Sequence, residues 1–124
     1  MSEGQGCPFC GRHEALARNE HAYMIYDRYP VSRGHVLVIT ARHRQNFFET
    51  SREERQAMLR LIDEAKTLLD EALAPQGYNI GVNVGETAGQ TIMHYHVHVI
   101  PRYRGDVPSP RGGVRAVIPG KQSY

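Results

Sequence analysis

The chain has 124 residues, a length that fits one domain and is too short for two independent hydrophobic cores. Hydrophobic residues make up 40% of the chain and charged residues 23%, which excludes a wholly disordered protein. Fifteen basic and thirteen acidic residues leave a formal net charge of +2, which is too balanced to indicate a nucleic-acid or membrane partner.

Membrane insertion and secretion are not predicted from the sequence. No apolar run approaches the roughly 20 residues that are needed to cross a bilayer. The first residues, MSEGQGCPFCGRHE, are too polar for a signal peptide. We therefore expect a cytoplasmic protein that binds neither nucleic acid nor membranes.

The first candidate site in chain order is a pair of cysteines, Cys7 and Cys10, in the sequence CPFC. Two thiols without a secretion signal favour metal binding over a structural disulfide, and they supply half of a tetrahedral zinc site. A thioredoxin-like redox pair is the alternative. That motif follows a strand and opens a helix, whereas a short polar segment precedes Cys7.

Two strands and a long helix are predicted next. Residues 22–26 and 35–39 are rich in β-branched and aromatic side chains and are bounded by turn residues, which predicts strands. Residues 51–54 fit a capping box, although Thr50 is an equally good cap. Apolar residues then recur at spacings of three and four until Pro75, which predicts a helix whose apolar stripe lies in the core.

Two further strands are predicted at residues 78–84 and 93–100, joined by the segment GETAGQT at 85–91. Strands, then one helix, then strands predict an α+β fold with the helix on one side of the sheet. Residues 105–124 are rich in proline and glycine, and regular structure is expected to fade there. We therefore predict a domain at residues 1–104 and an extension at residues 105–124.

Three histidines, His94, His96 and His98, alternate with apolar residues in the last predicted strand. At a period of two, the imidazoles face one way and the apolar side chains face the other. The outer histidines lie roughly 13 Å apart along the strand, which is too far for all three to bind one metal ion. Burying all three in an apolar core would leave their nitrogens without partners. We therefore expect catalytic or ligand-binding roles that differ between the histidines.

A neutral imidazole can act as a nucleophile near neutral pH, and a second imidazole can donate a hydrogen bond to developing negative charge. Acyl transfer and phosphoryl transfer both suit this chemistry. The segment GETAGQT beside the histidines adds backbone amides and the polar side chains of Gln90 and Thr91, which favours a phosphate site. Glycine and threonine are also common in ordinary turns, and no P-loop lysine follows.

The motif HYHVHVI at residues 94–100 resembles the signature of the histidine triad (HIT) family of nucleotide hydrolases and transferases. The segments GHVLVI and NVGETAGQT resemble other blocks of that family, and the resemblance runs from about Cys7 to Arg104. AGQTI is similar to the fragile-histidine-triad branch, whose members cleave dinucleoside polyphosphates. The resemblance implies an antiparallel sheet with one long helix packed on it, in a homodimer.

The resemblance also implies the role of each site residue. The implied catalytic residues are His96, His98 and His35, and the implied nucleotide-binding residues are Asp27, Asn83, Gly89, Gln90 and Thr91. His96 would attack the α-phosphorus and form a nucleotidyl-histidine intermediate that water then cleaves, while His98 and His35 would stabilise charge on the phosphate. Asp27 would accept hydrogen bonds from the ribose hydroxyls. No redox or organic cofactor is implied.

A related uridylyltransferase branch carries glutamine at the third triad position, so His98 favours hydrolysis over uridylyl transfer. The leading hypothesis is a hydrolase that acts on purine dinucleoside polyphosphates or nucleoside phosphoramidates. The alternatives are a nucleotide-binding sensor with little turnover and a phosphorylase that uses inorganic phosphate in place of water.

Some bacterial members of the family bind structural zinc through a cysteine pair and two histidines. The matching ligands here are Cys7, Cys10, His43 and His94, and His13 is the alternative third ligand. The fragile branch usually lacks the cysteines, so the chain resembles prokaryotic members that combine that branch's motif with a zinc site. For residues 105–124 we expect either a segment folded over a neighbouring subunit or the nucleotide site, or a disordered tail.

Overall fold

A five-stranded antiparallel sheet in the order β1-β2-β3-β5-β4 forms the framework of the computed structural model, which describes residues 6–11 and 14–124. The strands are β1 (Ala17–Arg18), β2 (Ala22–Tyr26), β3 (Val36–Thr40), β4 (Gly77–Gly81) and β5 (His96–Arg102). A single α-helix among the described residues, α1 (Arg52–Leu73), packs on this sheet. The predicted α+β fold, one domain with a long helix on an antiparallel sheet, is confirmed.

The two faces of the sheet have different coverings. On one face, the valines of β3 and β5 pack with Met24 of β2 against Leu61, Ala65 and Leu69 of α1. On the other face, Leu37 and Ile39 pack with Phe9 of the CPFC segment. β5 pairs with β3 in a register that places His96 opposite Ile39 and His98 opposite Leu37, so these histidines share the second face.

The helix begins as the sequence predicts. Ser51 is its N-cap: its side chain accepts a hydrogen bond from the amide of Glu54 at 3.1 Å, and its own amide donates to the Glu54 carboxylate at 2.8 Å. The same carboxylate pairs with the Arg44 guanidinium at 3.0 Å. The helix ends at Leu73, just before Pro75, and its buried stripe forms core. None of the helices in the described part of the chain is both long and apolar enough to cross a membrane.

Some strand boundaries differ from the prediction. The strand predicted at residues 93–100 begins only at His96 and continues to Arg102. Its start is delayed because the amide of Tyr95 donates to the carbonyl of Arg44, in the loop after β3, at 2.6 Å. The strand predicted at residues 78–84 ends at Gly81. The two-residue β1 is too short to produce a periodic pattern, and it was not predicted.

The prediction that regular structure fades after β5 is wrong for Gly113–Val117, which forms a short 3-10 helix. The chain reverses after β5 because the Asp106 carboxylate accepts two hydrogen bonds from the Arg102 guanidinium, at 2.7 and 2.8 Å. The backbone amide of Asp106 also donates to the carbonyl of Tyr103. The Tyr103 hydroxyl in turn donates to the carbonyl of Arg33 at 2.6 Å. The predicted division at residue 104 stays a prediction.

The capping box leads to a prediction about stability. Replacing Ser51→Ala removes the acceptor for the Glu54 amide, so the free energy of unfolding should fall by about 1 kcal/mol. The matched variant Ser51→Asp keeps an acceptor oxygen and should remain close to the wild-type value. Urea unfolding followed by circular dichroism measures both. Equal losses in the two variants would contradict a capping role for this side chain.

Candidate functional site

A pocket lies on the sheet face that carries His96 and His98, which we call the histidine face. Its volume of about 1000 Å³ is at the upper end of the usual range for small-molecule sites. Most of the residues predicted to bind substrate line it. They are Asp27, His35, Asn83, Gly89, Thr91, His96 and His98. Apolar side chains from β2, β3 and β4, together with Phe9 and part of the C-terminal segment, complete the wall.

The orientation of His96 identifies its protonated nitrogen. Nδ1 lies 2.7 Å from the carbonyl oxygen of His94, and a carbonyl can only accept a hydrogen bond. Nδ1 therefore carries the proton, and in the neutral ring Nε2 has an available lone pair. The edge-on ring of Phe9, whose centroid is 5.0 Å away, packs against the imidazole and restricts its rotation. The hydrogen bond and the ring packing thus fix the orientation of the His96 imidazole.

A chain of hydrogen bonds also selects the tautomers of His35 and His98. The amide of Val31 donates to Nδ1 of His35 at 3.1 Å, so Nε2 carries the proton of the neutral His35 ring. That Nε2 lies 2.9 Å from Nδ1 of His98 and donates to it. The proton of a neutral His98 therefore lies on Nε2. His98 consequently offers an N–H donor beside His96, whose ring centroid is 5.2 Å away.

Burial keeps this pair neutral. Desolvation, followed by the proximity of His96 and His35, lowers the pKa of His98 to about 4, although the Asp27 carboxylate acts in the opposite direction. Desolvation also lowers the pKa of His35 and outweighs the effect of Asp27. The contact of 3.4 Å between His35 and Asp27 is therefore a polar contact between a neutral ring and a carboxylate near pH 7.

Asp27 lies where β2 ends, and its two oxygens have separate neighbours. One oxygen accepts a hydrogen bond from the amide of Tyr29 at 2.8 Å, which holds the side chain in place. The other lies 3.4 Å from His35 Nε2 and 3.9 Å from His98 Nδ1. These three side chains are also close enough together to hold a metal ion, but the hydrogen bond between His35 Nε2 and His98 Nδ1 occupies the ligand atoms of both rings. The predicted contact of Asp27 with ribose stays a prediction.

Gln90 is positioned differently from its neighbours in the 85–91 segment. Its side chain is buried: the carbonyl oxygen accepts from the amide of Gly85 at 2.8 Å, and the amide nitrogen donates to the carbonyls of Gln45 at 2.6 Å and Ile92 at 3.1 Å. A direct contact between Gln90 and a phosphate would require these bonds to be exchanged. In this structure Gln90 holds the segment in place, while Thr91 lines the pocket.

A second cluster lies beside the pocket, and its members are Cys7, Cys10, His43 and His94. Nδ1 of His94 is 3.3 Å from the Cys7 sulfur and 3.4 Å from the Cys10 sulfur, and Nδ1 of His43 is 3.1 Å from the Cys10 sulfur. The four ligand atoms all lie within 4.8 Å of one another. Tetrahedral zinc separates sulfur and nitrogen ligands by about 3.6 Å, given its bond lengths. The donor set therefore fits a zinc ion.

The ring orientation of His94 agrees with that fit. Its Nε2 donates to the carbonyl oxygen of Thr40 at 2.7 Å, so Nδ1 directs its lone pair toward the two sulfurs. Such a hydrogen bond to the second nitrogen is the usual support of a metal-binding histidine. The alternative ligand His13 lies outside the described residues. His94 thus contacts the two cysteines, whereas His96 lines the pocket.

The residues that sequence reasoning missed come from the two ends of the chain. Phe9 packs against His94 and His96, and it lies between the two cysteines of the CPFC motif. Val114 and Val117 line the pocket from the C-terminal segment. Nothing in their local sequence distinguishes them from surface valines that have no role in a pocket. Only the route of the chain after β5 brings them to the site.

The depressed pKa of His98 predicts a pH dependence of stability. Between the ordinary pKa of 6.5 and about 4, the unfolded chain binds a proton at this ring and the folded protein does not, so stability falls as pH falls through that range. His98→Gln should remove this pH dependence. Between pH 7 and pH 5 its free energy of unfolding should therefore fall by about 2 kcal/mol less than that of the wild type. Urea unfolding at both pH values measures the difference. His21→Gln is the control for loss of an imidazole outside the pocket, and equal pH dependence of all three proteins would contradict the assignment.

Comparison with known proteins agrees with the geometry. The family model described as HIT domain matches residues 12–105. An uncharacterized 16.1 kDa HIT-like protein of Mycoplasma pneumoniae is 41% identical over 103 residues, which cover 78% of this chain and 72% of that protein. A Zn-bound histidine triad family protein from Mycobacterium smegmatis has a TM-score of 0.70 and 34% identity, covering 77% of this chain and 69% of that one.

A protein named AP-4-A phosphorylase in Mycobacterium tuberculosis is 30% identical over 92 residues, which cover 73% of this chain and 47% of that protein. The chain therefore spans about half the length of this relative and almost three quarters of the Mycoplasma protein. The match of the family model over most of the sequence, the three alternating histidines and the shared fold lead to one conclusion. The chain belongs to the histidine triad family.

Proposed function

We propose that this protein is a nucleotidyl hydrolase that cleaves purine dinucleoside polyphosphates or nucleoside phosphoramidates at the α-phosphate. The observation that carries the proposal is the hydrogen bond from His96 Nδ1 to the carbonyl of His94 at 2.7 Å. This bond leaves Nε2 unprotonated in the neutral ring, on a side chain that lines a pocket large enough for a nucleotide.

In the first step of the proposed reaction, Nε2 of His96 attacks the α-phosphorus. An N–P bond forms while the bond from phosphorus to the leaving oxygen or nitrogen breaks, and the leaving group takes up a proton. In the second step water attacks the same phosphorus, the N–P bond breaks, and a nucleoside monophosphate is released. The imidazole of His96 is then free for another turnover.

His98 is proposed to stabilise the negative charge that develops on the phosphate, and His35 acts through the proton that it donates to His98. The hydrogen-bond chain from Val31 through His35 assigns the His98 proton to Nε2, and burial keeps both rings neutral. A neutral N–H donor in a pocket shielded from water binds a phosphate oxygen without moving its own proton. Thr91, on the neighbouring wall, adds a hydroxyl, and Gly89 allows close approach of the backbone.

Asp27 is proposed to bind the ribose. Its carboxylate lies at the edge of the pocket, held by the amide of Tyr29 and adjacent to His98. A carboxylate can accept hydrogen bonds from two neighbouring hydroxyl groups. Asn83 lines the wall near Gly89 and is proposed to contact the phosphate chain, as is Gln90 if its internal hydrogen bonds exchange.

Phosphorolysis is the second candidate reaction, and the name of the Mycobacterium tuberculosis relative favours it. The same nucleotidyl-histidine would then be attacked by inorganic phosphate in place of water. The products distinguish the two reactions: diadenosine tetraphosphate would yield ATP and AMP by hydrolysis but ATP and ADP by phosphorolysis. A nucleotide sensor would bind the compound and form neither pair.

Cys7, Cys10, His43 and His94 are proposed to hold a structural zinc ion. A zinc ion at this position would join the CPFC segment, the loop after β3 and the residues before β5, which are far apart in sequence. A site with four protein ligands leaves no open position for substrate. The ion would therefore stabilise the frame around His96 without entering the reaction.

We further propose a cytoplasmic homodimer, as the family resemblance implies. β4 lies at the edge of the sheet, and its Ile80 is half exposed. An edge strand with an exposed apolar side chain is suited to pairing with a second chain. No nucleic-acid or membrane partner is proposed.

The test of the hydrolase is cleavage of diadenosine tri- and tetraphosphate and of an AMP-lysine analogue, with chromatographic identification of the products. We expect AMP without added phosphate, and His96→Ala should lower kcat at least 1000-fold because the nucleophile is lost. The control His21→Ala removes a histidine outside the pocket and should retain activity. Tight nucleotide binding without cleavage, unaltered by His96→Ala, would replace the hydrolase with the sensor.

The zinc proposal predicts one zinc ion per chain in freshly prepared protein, measured by elemental analysis. Cys7→Ser should release the ion and lower the melting temperature by several degrees, while kcat at 25 °C stays within a few-fold of wild type. His43→Ala and His13→Ala form a matched pair, of which only the former should lose zinc. Protein without zinc would overturn the metal proposal, and zinc loss in His13→Ala alone would transfer the third ligand to that residue.

A further inference from the structure

The two cysteines of the CPFC segment are the only thiols of the chain, and the structure brings both sulfurs to one ring. Nδ1 of His94 lies 3.3 Å from the Cys7 sulfur and 3.4 Å from the Cys10 sulfur. The two sulfurs lie within 4.8 Å of each other, and no bond joins them. A pair of thiols at this separation can bind a metal ion or, after the loss of two electrons, form a disulfide.

The backbone around the cysteines leaves room for a disulfide. The sulfurs would have to approach to about 2.05 Å, which requires side-chain rotation and a small movement of the segment. Gly6 and Gly11 flank the pair with φ values of +79° and +93°, and a Cβ on either glycine would meet nothing within 4 Å. Because glycine is the least restricted residue and these two have open space around them, the segment can adjust without any change in the sheet.

Both cysteines are also accessible to a small oxidant, because each is partly exposed to solvent. A sulfur that binds zinc is deprotonated, and the thiolate is the form that attacks a peroxide. Thiolate character together with exposure is the combination that makes oxidation of a cysteine selective. The Cys/His cluster, which consists of Cys7, Cys10, His43 and His94, has both properties at its two sulfurs.

The same sulfurs help to hold the CPFC segment on the histidine face. Phe9 lies between the cysteines, is only 7% exposed and packs against the rings of His94 and His96. Its carbonyl accepts a hydrogen bond from the Tyr23 hydroxyl. A disulfide would turn both sulfurs away from the histidines, and two histidines alone do not complete a tetrahedral zinc site. The segment would then keep only the contacts of Phe9.

We propose that Cys7 and Cys10 are a reversible oxidation site, at which a peroxide forms a disulfide, releases the zinc ion and loosens the CPFC segment. The inference rests on the proposed zinc site and goes beyond it, because it assigns the two thiols a second chemical state. It does not depend on the nucleotide reaction.

Hydrogen peroxide is sufficient as the oxidant. One thiolate attacks a peroxide oxygen, the O–O bond breaks, and a sulfenic acid and a hydroxide ion form. The second thiolate attacks the oxidised sulfur, the S–S bond forms, the S–O bond breaks, and a second hydroxide ion leaves. The sulfurs lose two electrons in total and the peroxide gains them, while zinc keeps its charge. A dithiol reverses the change by thiol–disulfide exchange, after which the thiolates can bind zinc again.

Oxidation is expected to change stability more than turnover. His96 is oriented by the backbone carbonyl of His94 at 2.7 Å, and this bond does not involve the His94 ring. The ring itself stays bonded through Nε2 to the carbonyl of Thr40. Loss of the metal removes free energy that stabilises the folded state, so the oxidised protein should melt at a lower temperature. Its kcat should stay within a few-fold of the reduced protein, as expected for Cys7→Ser.

The first test treats the zinc-loaded, full-length protein with hydrogen peroxide and follows mass, zinc and melting temperature. We expect the mass to fall by about 2 Da, the two hydrogen atoms of the thiols. About one zinc ion per disulfide should appear on a chromogenic chelator, and the melting temperature should fall by several degrees. Dithiothreitol with added zinc should restore the starting values. The double variant Cys7→Ser/Cys10→Ser is the control for oxidation of methionine, and peroxide should leave its melting temperature unchanged.

The second test is hydrogen exchange, measured by mass spectrometry on the reduced, zinc-loaded protein and on the oxidised protein. Amides of residues 7–11 should exchange faster after oxidation, because the sulfurs no longer hold the segment. Amides of α1 should exchange alike in both forms. Equal exchange of residues 7–11 in the two forms would contradict the loosening of the segment.

The outcomes separate this inference from the proposals on which it builds. Freshly prepared protein without zinc would overturn the zinc proposal and the inference together. Zinc-containing protein whose cysteines gain oxygen atoms without forming a disulfide, or whose disulfide forms with zinc still bound, would overturn the inference alone. No measurement in either test uses a nucleotide, so failure of the proposed hydrolysis would be recognised separately.

Discussion

The alternation of side chains along β5 is the constraint on which the site depends. Its valines pack beneath α1, and its histidines face the pocket. β5 is paired on both sides, with β3 and with β4, so its register is held by two neighbours. A slip of one residue would place the imidazoles under the helix and expose the valines. The hydrophobic core therefore stabilises the orientation of His96 and His98.

The three histidines of the triad differ in which ring nitrogen carries the proton. His94 donates from Nε2 to the carbonyl of Thr40, so its Nδ1 faces the cysteine sulfurs. His96 donates from Nδ1 to the carbonyl of His94, so its Nε2 keeps the lone pair of the neutral ring. His98 accepts at Nδ1 from His35 and presents Nε2–H. One residue type thus serves three purposes because different hydrogen-bond partners select the tautomers.

His94 also contacts both the Cys/His cluster and His96. Its ring belongs to the Cys/His cluster, while its carbonyl oxygen orients His96. The following residue, Tyr95, is held by the carbonyl of Arg44, whose guanidinium pairs with the capping-box carboxylate of Glu54. The start of the helix, the Cys/His cluster and His96 are therefore neighbours in one network, although more than fifty residues separate Arg44 from His96 along the chain.

The sequence predicted those features whose determinants are local. The capping box at Ser51 follows from the spacing of two residues, and the alternating strand follows from a period of two. Both are confirmed. The inward orientation of Gln90 could not be predicted, because its partner carbonyl on Gln45 is 45 residues away in sequence. The delayed start of β5 has the same cause, because the amide of Tyr95 donates to the distant carbonyl of Arg44. Side-chain direction in loops depends on such distant partners.

The pocket itself is produced by the two ends of the chain. A sheet face with neutral histidines would be open to water if nothing covered it, and here Phe9 covers it from one end while Val114 and Val117 cover it from the other. Polar contacts hold both segments in place. The Cys/His cluster holds the segment that contains Phe9, and the Arg102–Asp106 pair holds the segment that leads to Val114 and Val117. Desolvation is the main cause of the low pKa of His98, so burial of this ring favours its neutral form.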